Sequence, residues 1–115
     1  MNINVRKQED IAILDLEGNL VLGAAVATFR DQIQDLLEAG QKKFLINLIR
    51  VAFVDSSGIG AMVGAHTGIE SAGGICKFCG TQPRVQQALK LTHMREIFDM
   101  HEKEASALTS FGVTS

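Results

Sequence analysis

The sequence predicts an α/β fold, one domain over residues 1–115, and three observations predict it. From residue 11 onward, short apolar runs alternate with stretches whose apolar residues recur at helical spacing. One run, Lys43 to Leu48, is apolar on both faces, as an internal parallel strand is. Turn-forming residues separate the segments, chiefly Glu17-Gly18-Asn19, Gly40 and Gly73-Gly74. Strand–helix alternation of this kind argues a sheet covered by helices.

Each element follows from its pattern. Ile3 to Lys7 and Ile11 to Leu16 read as two strands. From Ala24 to Ala39, Val26, Phe29, Ile33, Leu36 and Leu37 form one helical face; Arg30, Asp31, Gln34, Asp35 and Glu38 form the other. Lys43 to Leu48 is the third strand. After Val51-Ala52-Phe53-Val54, the segment Asp55-Ser56-Ser57-Gly58-Ile59-Gly60 opens a helix that runs to about Ala72. Ile75 to Cys79 is the fourth strand, and Thr81-Gln82-Pro83 opens a helix that buries Val85, Ala88 and Leu89. A short helical piece around Met94 to Phe98, a brief edge strand at Asp99 to His101 and a helix from Lys103 to Leu108 complete the pattern. Residues 109–115 are expected to fray.

Composition removes several functions. Net charge is −2, and the eleven Lys and Arg are scattered, so no basic face predicts nucleic acid. The amino-terminal segment has no apolar signal core. The apolar stretch from Val51 to Ile69 is interrupted by Asp55 and by glycines and serines, so no membrane span is expected and the reading is cytoplasmic. Cys76 and Cys79 form a C-x-x-C within a strand. Residues three apart on a strand point to opposite faces, so the two sulfurs cannot share a metal and read as buried free thiols. His66, His93 and His101 lack metal-ligand spacing, and no cofactor is expected. The Asp-Ser-Ser-Gly segment is neither a nucleophile elbow nor a phosphate-binding loop with its lysine, so an enzyme is not expected.

The candidate site is Asp55, Ser56, Ser57 and Gly58. It places two hydroxyls and a carboxylate where backbone N–H groups are free and the helix dipole favours negative charge. A phosphate added there is tolerated by the fold while changing what the surface binds. One serine is expected to serve as N-cap, and Ser57 looks the better cap. In the same helix Ile59, Met62, Val63, His66 and Ile69 fall on one arc, expected to face the sheet. Gly60, Gly64 and Gly68 fall on the other. Each interior glycine costs a helix about 0.8–1 kcal/mol relative to alanine. The stripe therefore reads either as close packing on a neighbouring helix or, preferably, as a smooth partner-docking surface.

Phe53-Val54-Asp55-Ser56-Ser57-Gly58-Ile59-Gly60 resembles the signature of STAS domains, the sulphate-transporter and anti-sigma-factor-antagonist family. Glu17-Gly18-Asn19-Leu20, Phe44-Leu45-Ile46-Asn47-Leu48 and the block from Leu89 to Phe98 match it too, so the resemblance covers nearly the whole chain. It implies a mixed, largely parallel sheet of four or five strands. It further implies a bacterial anti-sigma factor antagonist that works by partner switching. In that scheme the unphosphorylated form binds an anti-sigma factor that is a serine kinase. Phosphorylation, which the family pattern assigns to Ser56 (Ser57 being the alternative), ends the interaction, and a PP2C-type phosphatase restores it. The family also contains phosphate-independent scaffold and adaptor domains, and a homodimer is left open. Two positions depart from the pattern: Val21 and Asn47 stand where many members carry acidic residues. Both are expected near the serine's end of the fold, which implies altered kinase recognition.

Overall fold

The computed structural model describes residues 1–113. Five strands form one sheet in the order β1 (Asn2–Gln8), β2 (Ile11–Glu17), β3 (Lys43–Arg50), β4 (Ile75–Cys79) and β5 (Met100–His101). β1 and β2 are an antiparallel hairpin; all later pairings are parallel. The sheet is thus mixed and largely parallel, as expected. A parallel pairing needs a crossover, and the helical segments supply it: α1 (Ala24–Glu38), α2 (Ser56–Ser71) and α3 (Pro83–Leu91). A short 3-10 turn, Met94–Glu96, and α4 (Glu104–Ser110) follow.

The core divides by strand parity. Leu14, Leu16, Phe44, Ile46, Leu48, Cys76 and Phe78 point to one face, where Phe29 and Ile33 of α1, Met62 and Ile69 of α2 and Val85 and Leu89 of α3 cover them. Full burial of each large apolar side chain contributes about 1.5–3 kcal/mol. Ile11, Ile13, Leu45 and Cys79 point to the other face, under Ala107 and Leu108 of α4 and Val113. The two cysteines therefore lie on opposite faces as free thiols, and burial pushes the pKa of each up to about 12. Burial thus favours the neutral thiol at both positions.

Two expectations need correction. The apolar arc of α2 is rotated: Met62 and Ile69 are fully buried, but Ile59, Val63 and His66 are only half-buried. Gly58, Ala61 and Ala65 are buried with them: Gly58 lies under the Leu20 carbonyl, and Ala61 and Ala65 lie towards α1, where small side chains let the two helices approach. The tail is also more ordered than expected over 109–113. α4 runs to Ser110, the Val113 amide donates to the Leu108 carbonyl at 3.1 Å, and the Val113 side chain closes the second core. A buried valine there holds the chain after the helix. Residues 114 and 115 lie outside the described residues.

The second face also carries polar contacts that hold α4 down. Arg6 on β1 grips Asp15 at 2.6 and 2.8 Å and reaches Glu104 at 2.5 Å. Lys77 pairs with Asp99 at 2.6 Å and lies 5.1 Å from the centre of the Phe111 ring.

Candidate functional site

The Asp-Ser-Ser-Gly segment is fixed by the loop after β2. Leu20 and Val54 form a parallel bridge; the Leu20 amide donates to the Phe53 carbonyl at 3.0 Å, and the Asp55 amide to the Leu20 carbonyl at 3.4 Å. That brings the Leu20 carbonyl onto the first turn of α2. A Cβ at Gly58 would lie 1.9 Å from the Leu20 oxygen, so only glycine fits.

Asp55 is the N-cap, with extended backbone (φ −98°, ψ −175°). Its Oδ1 accepts from the Gly58 amide at 2.7 Å, and its Oδ2 accepts from the Leu22 amide at 2.9 Å. One carboxylate therefore both caps α2 and clamps the loop after β2. Those backbone donors, Leu22 first and then Gly58, hold its pKa below the usual carboxylate range, since each bond favours the charged form. The cap is Asp55 and not Ser57: the chain becomes helical at Ser56, so only residue 55 keeps the extended geometry that a cap requires. Ser56 is exposed in the first helical position, and Ser57 is half-buried beside it.

The glycine stripe divides. A Cβ at Gly60 or Gly64 would meet nothing within 4 Å, and both are exposed. Gly68 is half-buried, and a Cβ there would lie 4.0 Å from Leu37 Cδ1. A groove of about 420 Å³ runs between α1 and α2, lined by Ile33, Leu37, Ala61, Gly64, Ala65 and Gly68. Gly68 thus lies at ordinary contact distance from α1, while Gly60 and Gly64 present bare backbone to the surface.

The two departures from the family pattern separate in space. Val21 sits in the clamped loop, and its carbonyl accepts from the Val26 amide at 3.3 Å. Asn47 shares the carboxyl end of the sheet but points to the face opposite α2. There its Nδ2 donates to Asp15 Oδ1 at 2.9 Å, and its Oδ1 accepts from the Ile49 amide at 3.2 Å. An aspartate at 47 would face Asp15 with like charge. Asn47 is part of the Arg6–Asp15 network and not of the serine's surroundings.

Two residues tied to the segment Phe53 to Asp55 carried no signal in the sequence. Leu22 is 75% exposed although its amide is bound to Asp55. Arg84, in the first turn of α3, stacks 4.8 Å above the centre of the Phe53 ring. An exposed leucine and a paired arginine–aromatic contact leave no periodic signal in sequence.

His66 and His101 each have a carboxylate partner. His66 Nε2 is 3.2 Å from Glu70 Oε1, and its ring stacks edge-on against Phe98. His101 Nε2 lies 2.7 Å from Asp99 Oδ1 and 3.4 Å from Ser110 Oγ. Both contacts fall on the same ring nitrogen, whereas a catalytic triad needs carboxylate and hydroxyl on opposite nitrogens. Among the described residues no three His, Cys, Asp or Glu side chains gather as a metal site, and no helix is long and apolar enough to cross a membrane.

This architecture has known counterparts. The chain is 26% identical to an anti-sigma F factor antagonist of Paenibacillus polymyxa, over all of this chain and 98% of that one. Among solved structures, it superimposes on the Thermotoga maritima protein TM1081 with a TM-score of 0.88 at 23% identity, covering 94% of this chain and 92% of that one. It also matches the Bacillus cell-fate determinant SpoIIAA in its phosphorylated form, with a TM-score of 0.74 at 20% identity, covering 96% and 99%. The STAS domain family model matches residues 2–107, and the chain belongs to the STAS domain family.

Proposed function

We propose that this protein is an anti-sigma factor antagonist of the partner-switching type, acting in the cytoplasm without catalytic activity of its own. The unphosphorylated surface around Ser56, Gly60 and Gly64 binds an anti-sigma factor that is also a serine kinase. That kinase transfers the γ-phosphoryl group of ATP to Ser56 Oγ, and a PP2C-type phosphatase removes it.

The observation that carries this reading is the division of labour at the start of α2. Asp55 supplies the cap, so the exposed Ser56 hydroxyl is not needed by the fold. A phosphate at the first helical position is favoured by the helix dipole and by free N–H groups. The relative's name, anti-sigma F factor antagonist, and the existence of SpoIIAA in a phosphorylated form support the reading. The added charge of about −1.5 to −2 would face one acidic group of a partner about 5 Å away. At an effective dielectric near 40 that repulsion is roughly 2–3 kcal/mol, or nearly a hundredfold in affinity.

Incubation with the serine-kinase anti-sigma factors of the source organism and ATP, read by intact mass, tests it. Gain of one phosphate is expected. Ser56→Ala should accept none and stay bound to the kinase; Ser56→Asp, with a single negative charge, should bind roughly tenfold more weakly. Modification of Ser56→Ala but not of Ser57→Ala would reverse the assignment to Ser57. Val21, which leaves the clamped loop without an acidic group, favours a second reading, a phosphate-independent STAS scaffold. Partner binding with no phosphate gain from any such kinase would support that one.

A further inference from the structure

Leu22 is the most exposed large apolar side chain in the described structure, at 75%. Single exposed leucines are ordinary on protein surfaces, so exposure alone says little. Position says more. The Leu22 amide is fixed by Asp55 Oδ2 at 2.9 Å, Asp55 is bonded to Ser56, and the flanking Leu20 is bridged to Val54. The leucine is thus held next to the serine by backbone contacts that do not involve its own side chain. The other exposed apolar residues lack this tie: Leu91 lies at the far end of α3, and Ile49 lines the open sheet cleft with Asp15 and Asn47.

We propose that Leu22 is the apolar anchor of the partner interface, a preformed knob received by an apolar socket beside the active site of the ATP-bound anti-sigma factor kinase. The inference rests on the partner-switching reading and names what the partner must present. A kinase that brings its nucleotide to Ser56 Oγ must cover the surrounding surface, and the clamped loop is part of that surface. Because Asp55 already fixes the Leu22 backbone, docking need not order the loop, which removes a cost that flexible contacts carry. Burying the exposed part of one leucine side chain corresponds to roughly tenfold to a hundredfold in affinity.

The test compares wild type with Leu22→Ala and Leu22→Met, neither of which adds charge beside Asp55, measuring affinity for the source organism's serine-kinase anti-sigma factors with a non-hydrolysable ATP analogue. Leu22→Ala should bind about tenfold more weakly with its melting temperature held within about 2 °C, and Leu22→Met should bind nearly as wild type. Equal affinity of wild type and Leu22→Ala would overturn the anchor while leaving partner switching intact. A large fall in the melting temperature of Leu22→Ala would show a packing residue and would overturn it too. Failure of wild type to bind any of these kinases would remove partner switching and the anchor with it.

Discussion

Gly58 and Gly64 lie in one helix, fewer than two turns apart, and have opposite reasons to be glycine. At Gly58 the Leu20 carbonyl oxygen would sit 1.9 Å from a Cβ; at Gly64 nothing lies within 4 Å. The first turn of α2 is packed to the limit against the loop after β2, while its middle offers open backbone. A residue type that costs helix stability is thus a steric requirement in the first place and a surface property in the second. Glycine in a helix cannot be interpreted until the atoms opposite it are known.

The largest effect expected from this contrast is at Gly58. Gly58→Ala places a methyl into a backbone carbonyl that is itself held by the Leu20–Phe53 and Asp55–Leu20 hydrogen bonds. The loop after β2 must move, at a cost of about 3 kcal/mol, which lowers the melting temperature by on the order of 10 °C. A melting temperature close to wild type would mean that the tight junction is not tight.

Gly64→Arg should show the reverse. Arginine is the better helix former by about 0.8 kcal/mol, so thermal stability should hold or rise slightly, while binding to the anti-sigma factor kinase is lost. A clear drop in stability would place Gly64 in a packed interface and erase the contrast.

Acid separates the two regions by a different route. The folded Asp55 carboxyl lies below its ordinary value of 3.8 because the Leu22 and Gly58 amides donate to it. Its contribution is therefore complete above 3.8 and is lost as pH falls through the lower folded value. In an NMR titration the Leu22 and Gly58 amide resonances should move together with a midpoint below 3.8, while the Gly64 amide stays unchanged. Asp55→Asn should remove that transition. A midpoint at or above 3.8 would show that the clamp does not favour the charged carboxylate.

The smallest effect belongs to Ser57. Because Asp55 is the cap, Ser57→Ala should change stability by no more than about 0.5 kcal/mol in a denaturant melt. A loss of about 1 kcal/mol or more is what removal of a true cap produces, and it would return the capping role to the serine.

Much of the fold was legible because its signals are local. Val26, Phe29 and Ile33 announce α1 by spacing, and the both-sided apolar run at Phe44 to Leu48 announces an internal strand, since a strand or helix repeats within a few residues. The same geometry placed Cys76 and Cys79 on opposite faces. It also put Ser56 at a helix start. The buried arc of α2 was less legible: hydrophobicity favoured Ile59 and Val63, but close approach of α1 favoured Ala61 and Ala65. A pattern within one helix does not record how near its neighbour comes.

The sequence by itself determined the order of the elements and the position of the serine pair at the head of α2, because chain periodicity and turn chemistry act over a few residues. Tertiary structure alone decided that Gly58 must be glycine, that Asp55 rather than Ser57 caps, and that Leu22 is held beside Ser56. It alone set Arg6 against Glu104, 98 residues away, and seated Val113 in the second core. Each of these depends on atoms brought together from distant parts of the chain. Such contacts are chosen by the packing of the whole sheet and its helices, and no short window of sequence contains both partners.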